Sequence, residues 1–429
     1  MKRTLIYELS SKINEKVKIQ GWVHRIRKLK AVSFLILRDR TGLVQCVIEN
    51  SMMAEKNCRL ESVVSFVGTV REGKNSLNSF ELQVDELEII NGTKEEMPIE
   101  VNTEYLNVNL DTMLNNRVLS LRNERVNSIF KIQNLIVQGF REYLILEGFT
   151  EIFTPKIVSE GAEGGTEIFQ VKYFENTAYL AQSPQFYKQM MVGAGFERVF
   201  EVAHVYRAEQ HNTNRHLNEY VSMDLEMGFI EDENDIMNLE EELLKFILRK
   251  IAEEGKKYLD ILQIEVPIIN GAIPRMKLSE AIDILKTQYG KTELEGDLDP
   301  EGEKLISKYV KENYGCDFVF LTHYPRKKRP MYTMPCGEVE THSFDLLFKG
   351  LEITTGGQRI HSYDQLVENM RYKGLNPDKY ESYTSVFKYG MPKHGGLAIG
   401  LERITMQLLG LDNVREASLI PRDRSRLVP

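Results

Sequence analysis

Tyr206-Arg207-Ala208-Glu209-Gln210-His211-Asn212-Thr213-Asn214-Arg215-His216-Leu217-Asn218-Glu219-Tyr220 sets two arginines and two histidines between apolar, strand-like segments. Its Asn-rich centre reads as a loop. An arginine at a strand end suits a phosphate, because its planar fork holds two oxygens at once. The alternative is a solvated polar hairpin tip. Gly350-Leu351-Glu352-Ile353-Thr354-Thr355-Gly356-Gly357-Gln358-Arg359 packs an acid, two hydroxyls and an arginine into one strand. A carboxylate beside a hydroxyl can hold Mg2+ next to substrate phosphates. Period two puts Glu352 and Thr354 on one face and Thr355 on the other, unless the strand is twisted. Gly395-Gly396-Leu397-Ala398-Ile399-Gly400-Leu401-Glu402-Arg403-Ile404 runs from a Gly-rich strand into an amphipathic helix, predicted over Arg403–Leu411. Glycines there let a ligand approach the backbone, or serve only a tight strand–helix junction. Ser159-Glu160-Gly161-Ala162-Glu163-Gly164-Gly165-Thr166-Glu167 reads as a mobile acidic loop able to close over an amine.

Absent motifs narrow the chemistry. There is no G-x-x-x-x-G-K-[ST], no G-x-G-x-x-G opening a β-α unit, no H-E-x-x-H and no G-x-S-x-G. A bound nucleotide would have to be held by arginines.

These stretches need elements to position them. Strands are predicted at Val17–Arg25, Ser33–Arg38, Leu43–Ile48, Ser62–Val70 and Phe80–Ile90, with a short helix near Met52–Arg59. Such a run suits an OB-type barrel, a shape that binds single-stranded nucleic acid, or another small β-barrel. Residues 92–115 are polar and irregular and read as a hinge. Beyond them a helix is expected over Val126–Glu147 and another over Glu233–Gly255. Strands are expected at Ala178–Ala181, Arg198–Tyr206, Tyr220–Phe229, Phe318–Leu321, Leu346–Thr354 and Gly396–Ile399. Strand and helix do not alternate strictly, so the fold class is α+β, an antiparallel sheet flanked by helices.

Composition agrees with a soluble globular chain. It has 429 residues, 42% hydrophobic and 28% charged, enough for two or three domains. No run of about eighteen apolar residues occurs, and the N-terminus lacks a signal-peptide h-region. Cys46, Cys58, Cys316 and Cys336 form no C-x-x-C pair, which points to reduced thiols in a cytoplasmic protein and disfavours a zinc site. The net charge of −8 argues against a generic nucleic-acid coat. A local basic patch is nevertheless present in Lys16, Lys18, His24, Arg25, Arg27, Lys28, Lys30, Arg38 and Arg40.

Taken in order, these motifs resemble the class II aminoacyl-tRNA synthetases, and within them the archaeal-type aspartyl-tRNA synthetases. The resemblance rests on Gly21-Trp22-Val23 through Val44-Gln45 in the barrel, on Gly148-Phe149-Thr150-Glu151-Ile152-Phe153-Thr154-Pro155 as motif 1, and on Tyr206–Glu219 as motif 2. Gly400-Leu401-Glu402-Arg403 matches motif 3, and Pro421-Arg422-Asp423-Arg424 the usual tail. It implies residues 1–95 as an OB-fold anticodon-binding domain, 96–120 as a hinge and 121–429 as the catalytic domain. It also implies a homodimer through motif 1, and attachment of L-aspartate to tRNA through an aspartyl-adenylate.

Residue roles follow from the resemblance. Arg207 is implied to hold the α-phosphate of ATP and, with Arg403, to be catalytic. Glu209 reads the adenine amino group; Arg403 and Tyr220 stack on its two faces; His216 and Arg403 meet the γ-phosphate. Ala208, Arg215, Leu217, Gly400, Leu401 and Glu402 complete the ATP set, and Glu352 with Thr355 holds Mg2+. Arg359 and Lys188 face the aspartate carboxylate, Asp224 and Gln185 take its amino group, and Glu163, Arg207 and Thr355 lie beside it. In the barrel, Phe34 stacks on the central anticodon base and Gln45 hydrogen-bonds it. The family's strict tRNA(Asp) enzymes tend to carry tryptophan after Gly-Trp-Val. His24 in that place implies charging of tRNA(Asn) as well as tRNA(Asp); the alternative is a solvated histidine on a basic face. An asparagine–tRNA ligase, a non-catalytic RNA-binding paralogue and a tRNA-independent adenylate-forming enzyme are the competing readings. Lys188 argues against the first, the intact arginines against the second and the barrel against the third.

Overall fold

Alternating apolar residues dictate the first unit. Val17, Ile19 and Val23, Leu35 and Leu37, Val44, Cys46 and Ile48, Val64 and Phe66, and Leu82 and Val84 all point inward. In this computed structural model, which describes residues 1–56, 58–73, 75, 77–159, 168–210 and 213–428, they close a five-stranded barrel. Its strands are Lys16–Lys28, Val32–Arg38, Leu43–Glu49, Val63–Glu72 and Phe80–Asn91. Neighbours are antiparallel except for the third and fifth, where Cys46 pairs with Leu82 in parallel. The expected short helix is Asn50–Lys56. Gly21 is required where two strands press together: a Cβ there would overlap the Arg38 carbonyl.

The chain divides into compact units Met1–Asn107 and Val108–Pro429. The second is built on an eight-stranded sheet. In spatial order its strands are Arg275–Lys277, Phe318–Thr322, Ser343–Phe348, Leu351–Arg359, His394–Gly400, Glu219–Gly228, Arg198–Tyr206 and Thr150–Glu151. The outermost pairing at each end is parallel and the rest are antiparallel. Helices Glu124–Leu146, Glu233–Glu254 and Leu401–Leu409 cover one face through Ile132, Ile136, Phe140, Leu244, Ile247 and Leu408. The first starts where Asn123 accepts from the Arg125 and Val126 amides.

Two expectations are corrected. The single strand expected at Leu346–Thr354 is a hairpin: Lys349 (φ 47°) and Gly350 (φ 86°) turn the chain between Ser343–Phe348 and Leu351–Arg359. Continuous apolar patterning hid a turn that the Lys-Gly pair could have signalled. The hinge region also contains ordered structure, helices Leu110–Asn115 and Arg117–Ser120. Arg117 is buried there, donating to the carbonyls of Leu419, Glu416 and Ser418.

Replacing Gly21 by Ala is expected to destabilise the barrel by about 1–3 kcal/mol, read by denaturant unfolding, because backbone must shift to admit the methyl group.

Candidate active site and barrel groove

The two central strands, Glu219–Gly228 and Leu351–Arg359, flank His394–Gly400 and carry most of the polar groups. A cleft at their ends is lined by Arg207, Glu209, Arg215, His216, Leu217, Tyr220, Glu352, Gly400, Glu402 and Arg403, together with Ser222, Ile353 and Val414. Residues from three separate stretches therefore converge on one cavity. Ala208 lies just past the Arg198–Tyr206 strand end and Leu401 is buried at the start of its helix; neither lines the cleft. Glu163 falls outside the described residues, as does the expected acidic loop beyond Ser159.

Three arginines and three glutamates line the cleft. The Arg207 guanidinium lies 5.7 Å from the Tyr220 ring centre. Arg403 Nη1 donates to the Glu352 carbonyl at 3.0 Å and lies 3.5 Å from its carboxylate. Arg215 is paired with Glu303, whose carboxyl burial pushes up to about 7 against the arginine's pull. Burial, then Arg403, Arg215 and Arg207, drive His216 down to about 4, so its ring is neutral at pH 7.

Glu352 and Thr355 share one face after all. Leu346 pairs with Thr354 and Leu347 with Glu352, so Ile353 is an extra residue in the strand, a β-bulge. The bulge resets the alternation, and Thr355 Oγ1 donates to Glu352 Oε1 at 2.7 Å. Asp345, opposite Thr355 in the next strand, adds a carboxylate that the sequence reading missed. Burial raises Asp345 to about 6, while Arg329 at 2.8 Å holds it back. Glu352 is kept below its ordinary range: burial opposes this, but Arg403, the Thr355 hydroxyl, Arg329 and Arg207 prevail. Three hard oxygen donors stand together, the chemistry a small divalent ion takes.

Deeper in the sheet, Lys188 and Arg359 are buried cations. Lys188 Nζ donates to Asp224 Oδ1 at 3.0 Å, Leu225 O at 3.1 Å and Leu397 O at 2.9 Å. Arg359 Nε donates to Glu226 Oε1 at 3.1 Å, and its Nη2 reaches Gly396 O at 3.0 Å and Gln185 Oε1 at 3.4 Å. Glu226 Oε2 lies 3.4 Å from Lys188 Nζ. Burial would raise Glu226, yet Arg359 and Lys188 hold it below the usual carboxylate range. Glu226 was not expected from the sequence, although period two from Asp224 places it on the same strand face. Ser222, one step the other way, donates to Asp224.

In the barrel, His24, Phe34 and Gln45 line one open groove with Arg25, Arg27, Ile36 and Asn102. His24 is not solvated. Val23 pairs with Leu37 and Arg25 with Ile36, so His24 is a bulged residue and is turned inward, 6% exposed. Its Nδ1 lies 3.0 Å from Arg38 Nη1, and Arg38 Nη2 donates to buried Glu61 at 2.8 Å. Burial first, then Arg38 and Arg25, lower His24 to about 4. A guanidinium has only donors, so Nδ1 is the acceptor and the ring proton sits on Nε2. Gln45 Nε2 donates to Glu81 at 2.8 Å.

Comparison with known proteins places the whole chain. Residues 109–424 match the family described as tRNA synthetases class II (D, K and N), and residues 17–90 match the OB-fold nucleic acid binding domain. The chain is 49% identical to the Aspartate--tRNA(Asp/Asn) ligase of Deinococcus radiodurans, covering 100% of this chain and 99% of that protein. It is 43% identical to the Aspartate--tRNA(Asp) ligase of Pyrococcus abyssi over 98% of both. Its fold matches the asparaginyl-tRNA synthetase of Pyrococcus horikoshii complexed with asparaginyl-adenylate, with a TM-score of 0.92 at 30% identity and full coverage of both chains.

Lys188→Met is expected to destabilise the fold by about 3–5 kcal/mol, since it strips a buried cation from Asp224 and Glu226. Burial raises Glu402 and Glu240 to about 8, above their unfolded values. Their contribution to stability is complete below the unfolded pKa and is lost as pH rises towards 8. Glu240→Gln is expected to flatten that decline in thermal unfolding measured between pH 5 and 8.

Proposed function

The chain belongs to the class II tRNA synthetases of the D, K and N group, and from that membership we propose that it attaches L-aspartate to both tRNA(Asp) and tRNA(Asn). The observation that carries this reading is the buried pair Lys188 and Arg359 beside Asp224, Glu226 and Gln185. Two fixed cations suit a carboxylate side chain. Asparagine would replace a charged acceptor by an amide whose NH2 faces donors only, giving up charge-assisted bonds, a penalty in the range that gives large discrimination.

In the first step an aspartate α-carboxylate oxygen attacks the α-phosphorus of ATP, and pyrophosphate leaves with the bonding electrons. Arg207 at the strand end neutralises charge on that phosphoryl group as it is attacked, with Arg403, Arg215 and neutral His216 receiving the terminal phosphates. Tyr220 and Arg403 sandwich the adenine. In the second step the 3′-terminal hydroxyl of tRNA attacks the aspartyl carbonyl carbon, AMP departs and the hydroxyl proton is released. Positioning and electrostatics do most of the work. Glu352, Thr355 and Asp345 fit Mg2+ as hard oxygen donors, and the ion would supply positive charge beside the phosphates. Ala208 and Leu401 support the backbone of this site.

The groove of the barrel receives the anticodon. Phe34 stacks on a base and Gln45 contacts its edge, the usual way a barrel reads single-stranded RNA. His24 presents a compact Nε2–H donor into the same groove. It leaves room that a tryptophan would fill, and this permits both anticodons. Assembly as a homodimer would cover exposed apolar side chains around motif 1, among them Leu146 and Phe153, the latter 85% exposed. No described helix is long and apolar enough to cross a membrane.

Charging assays with labelled aspartate on separate tRNA(Asp) and tRNA(Asn) transcripts test the reading. Both should accept aspartate, and asparagine should be transferred to neither. Charging of tRNA(Asp) alone would overturn the dual range and leave the reaction standing. Arg207→Ala should lower aspartate-dependent pyrophosphate exchange by about 100- to 1000-fold. His24→Trp should leave that exchange unchanged while selectively depressing tRNA(Asn) charging.

A further inference from the structure

Outside the cleft and the groove, His323, Cys336 and Glu340 bring one nitrogen, one sulfur and one carboxylate oxygen within 4.8 Å of one another. Among the described residues no other group of such donors converges in this way. They come from two parts of the catalytic unit. His323 follows the strand Phe318–Thr322, while Cys336 and Glu340 face each other across the short hairpin of Pro335–Cys336 and Glu340–Thr341. Sequence spacing gave no hint, because the donors never form a C-x-x-C or H-x-x-H pattern.

The surroundings match what a ligating histidine needs. Thr322 Oγ1 donates to the Met276 carbonyl at 3.4 Å and lies 2.9 Å from His323 Nδ1. In the tautomer with the proton on Nδ1, the hydroxyl accepts from Nδ1–H and the Nε2 lone pair is left to ligate an ion. Fixing the ring through its other nitrogen is the common outer-shell arrangement of metal-bound histidines. His323 holds a left-handed backbone conformation, φ 61°, and its amide donates to Ser343 O at 3.0 Å. All three donors are half-buried.

We propose that His323, Cys336 and Glu340 bind one divalent ion of borderline softness, with Zn2+ the best match, and leave a fourth position to water. The ligand types are those of tetrahedral zinc. A thiolate, a carboxylate and a neutral imidazole exactly balance a 2+ ion, so the half-buried site carries no net charge. Lys277, 4.0 Å from Glu340, is half-exposed and free to turn to solvent when the ion binds. The ion braces the hairpin against the sheet. That segment runs beside Arg359: Met334 N donates to Gln358 O at 3.0 Å and Gln358 N to His342 O at 2.9 Å. The site is separate from the Glu352 cluster and differs from it in donor chemistry.

The test is metal analysis of untagged full-length protein after exposure to Zn2+ and gel filtration, with Co2+ as a spectroscopic probe. One Zn2+ per chain is expected, and Co2+ should give a near-ultraviolet thiolate charge-transfer band. Cys336→Ser and His323→Ala should each remove the band and weaken Zn2+ by at least about 100-fold, while Cys58→Ser changes neither. Zn2+ should raise the thermal midpoint of the native chain and of Cys58→Ser, and of neither ligand variant. The midpoints of all four proteins in chelator should coincide, which separates loss of the ion from loss of folding. Substoichiometric zinc, or zinc that survives both ligand substitutions, would mean an adventitious ion only and would overturn the proposal.

Discussion

Two cations buried inside a protein sheet must be matched by two anions, and the central strands are arranged around that balance. Lys188 comes from the helix Gln185–Met191 and Arg359 from the end of the strand Leu351–Arg359. Asp224 and Glu226 alternate along the strand between Arg198–Tyr206 and His394–Gly400. Removing water from four charges is costly unless each finds its partner, and the mutual distances near 3 Å provide that. The backbone gives way to make it possible. A side chain at Gly396 would overlap both the Leu225 carbonyl and the Glu226 carboxylate, so this strand can be nothing but glycine where it crosses the network. Carbonyls of Leu225, Leu397 and Gly396 then fill the remaining donors.

The arginine-lined cleft follows a different rule. Its arginines lie towards solvent, and most of its acids serve to aim them. Glu352 orients Arg403, and Glu303 holds Arg215. Burial, with three arginines beside it, keeps His216 neutral and spares the cleft a fourth cation. Preorganised donors of this kind stabilise developing charge without reorganising at the moment of reaction.

Much of this was legible from residue order. The five barrel strands, both long helices and the converging arginine motifs followed from period two, period 3.6 and the placement of glycine. What escaped did so for physical reasons. Period two fails wherever a strand carries an extra residue, and it fails here at Ile353, which brings Thr355 to the side of Glu352. It fails again at His24, which was open to reading as a solvated residue and is turned inward onto Arg38. Glu226 and Asp345 were passed over because an acid within an apolar strand has no local signature; its meaning lies in the cation it meets from another element. The Lys349-Gly350 turn was masked by apolar residues continuing on both sides.

Under the proposed function, the buried charge network and the single bulge at His24 would keep one selectivity strict and leave the other adjustable. Amino-acid choice would then rest on a charge network in which every member is buried and bonded to at least one other, so a change at one position leaves a neighbour unpaired. In the barrel, His24 is a single bulged residue at a groove, secured from behind by Arg38 and Glu61. Its replacement alters what the groove admits without unpairing Arg38 from Glu61. The network and the groove share no residue and belong to different compact units, so substitutions in them should act independently. On that reading a change in the range of RNA partners needs one substitution, at the expense of the His24–Arg38 bond, whereas a change of amino acid requires several buried charges to be replaced together.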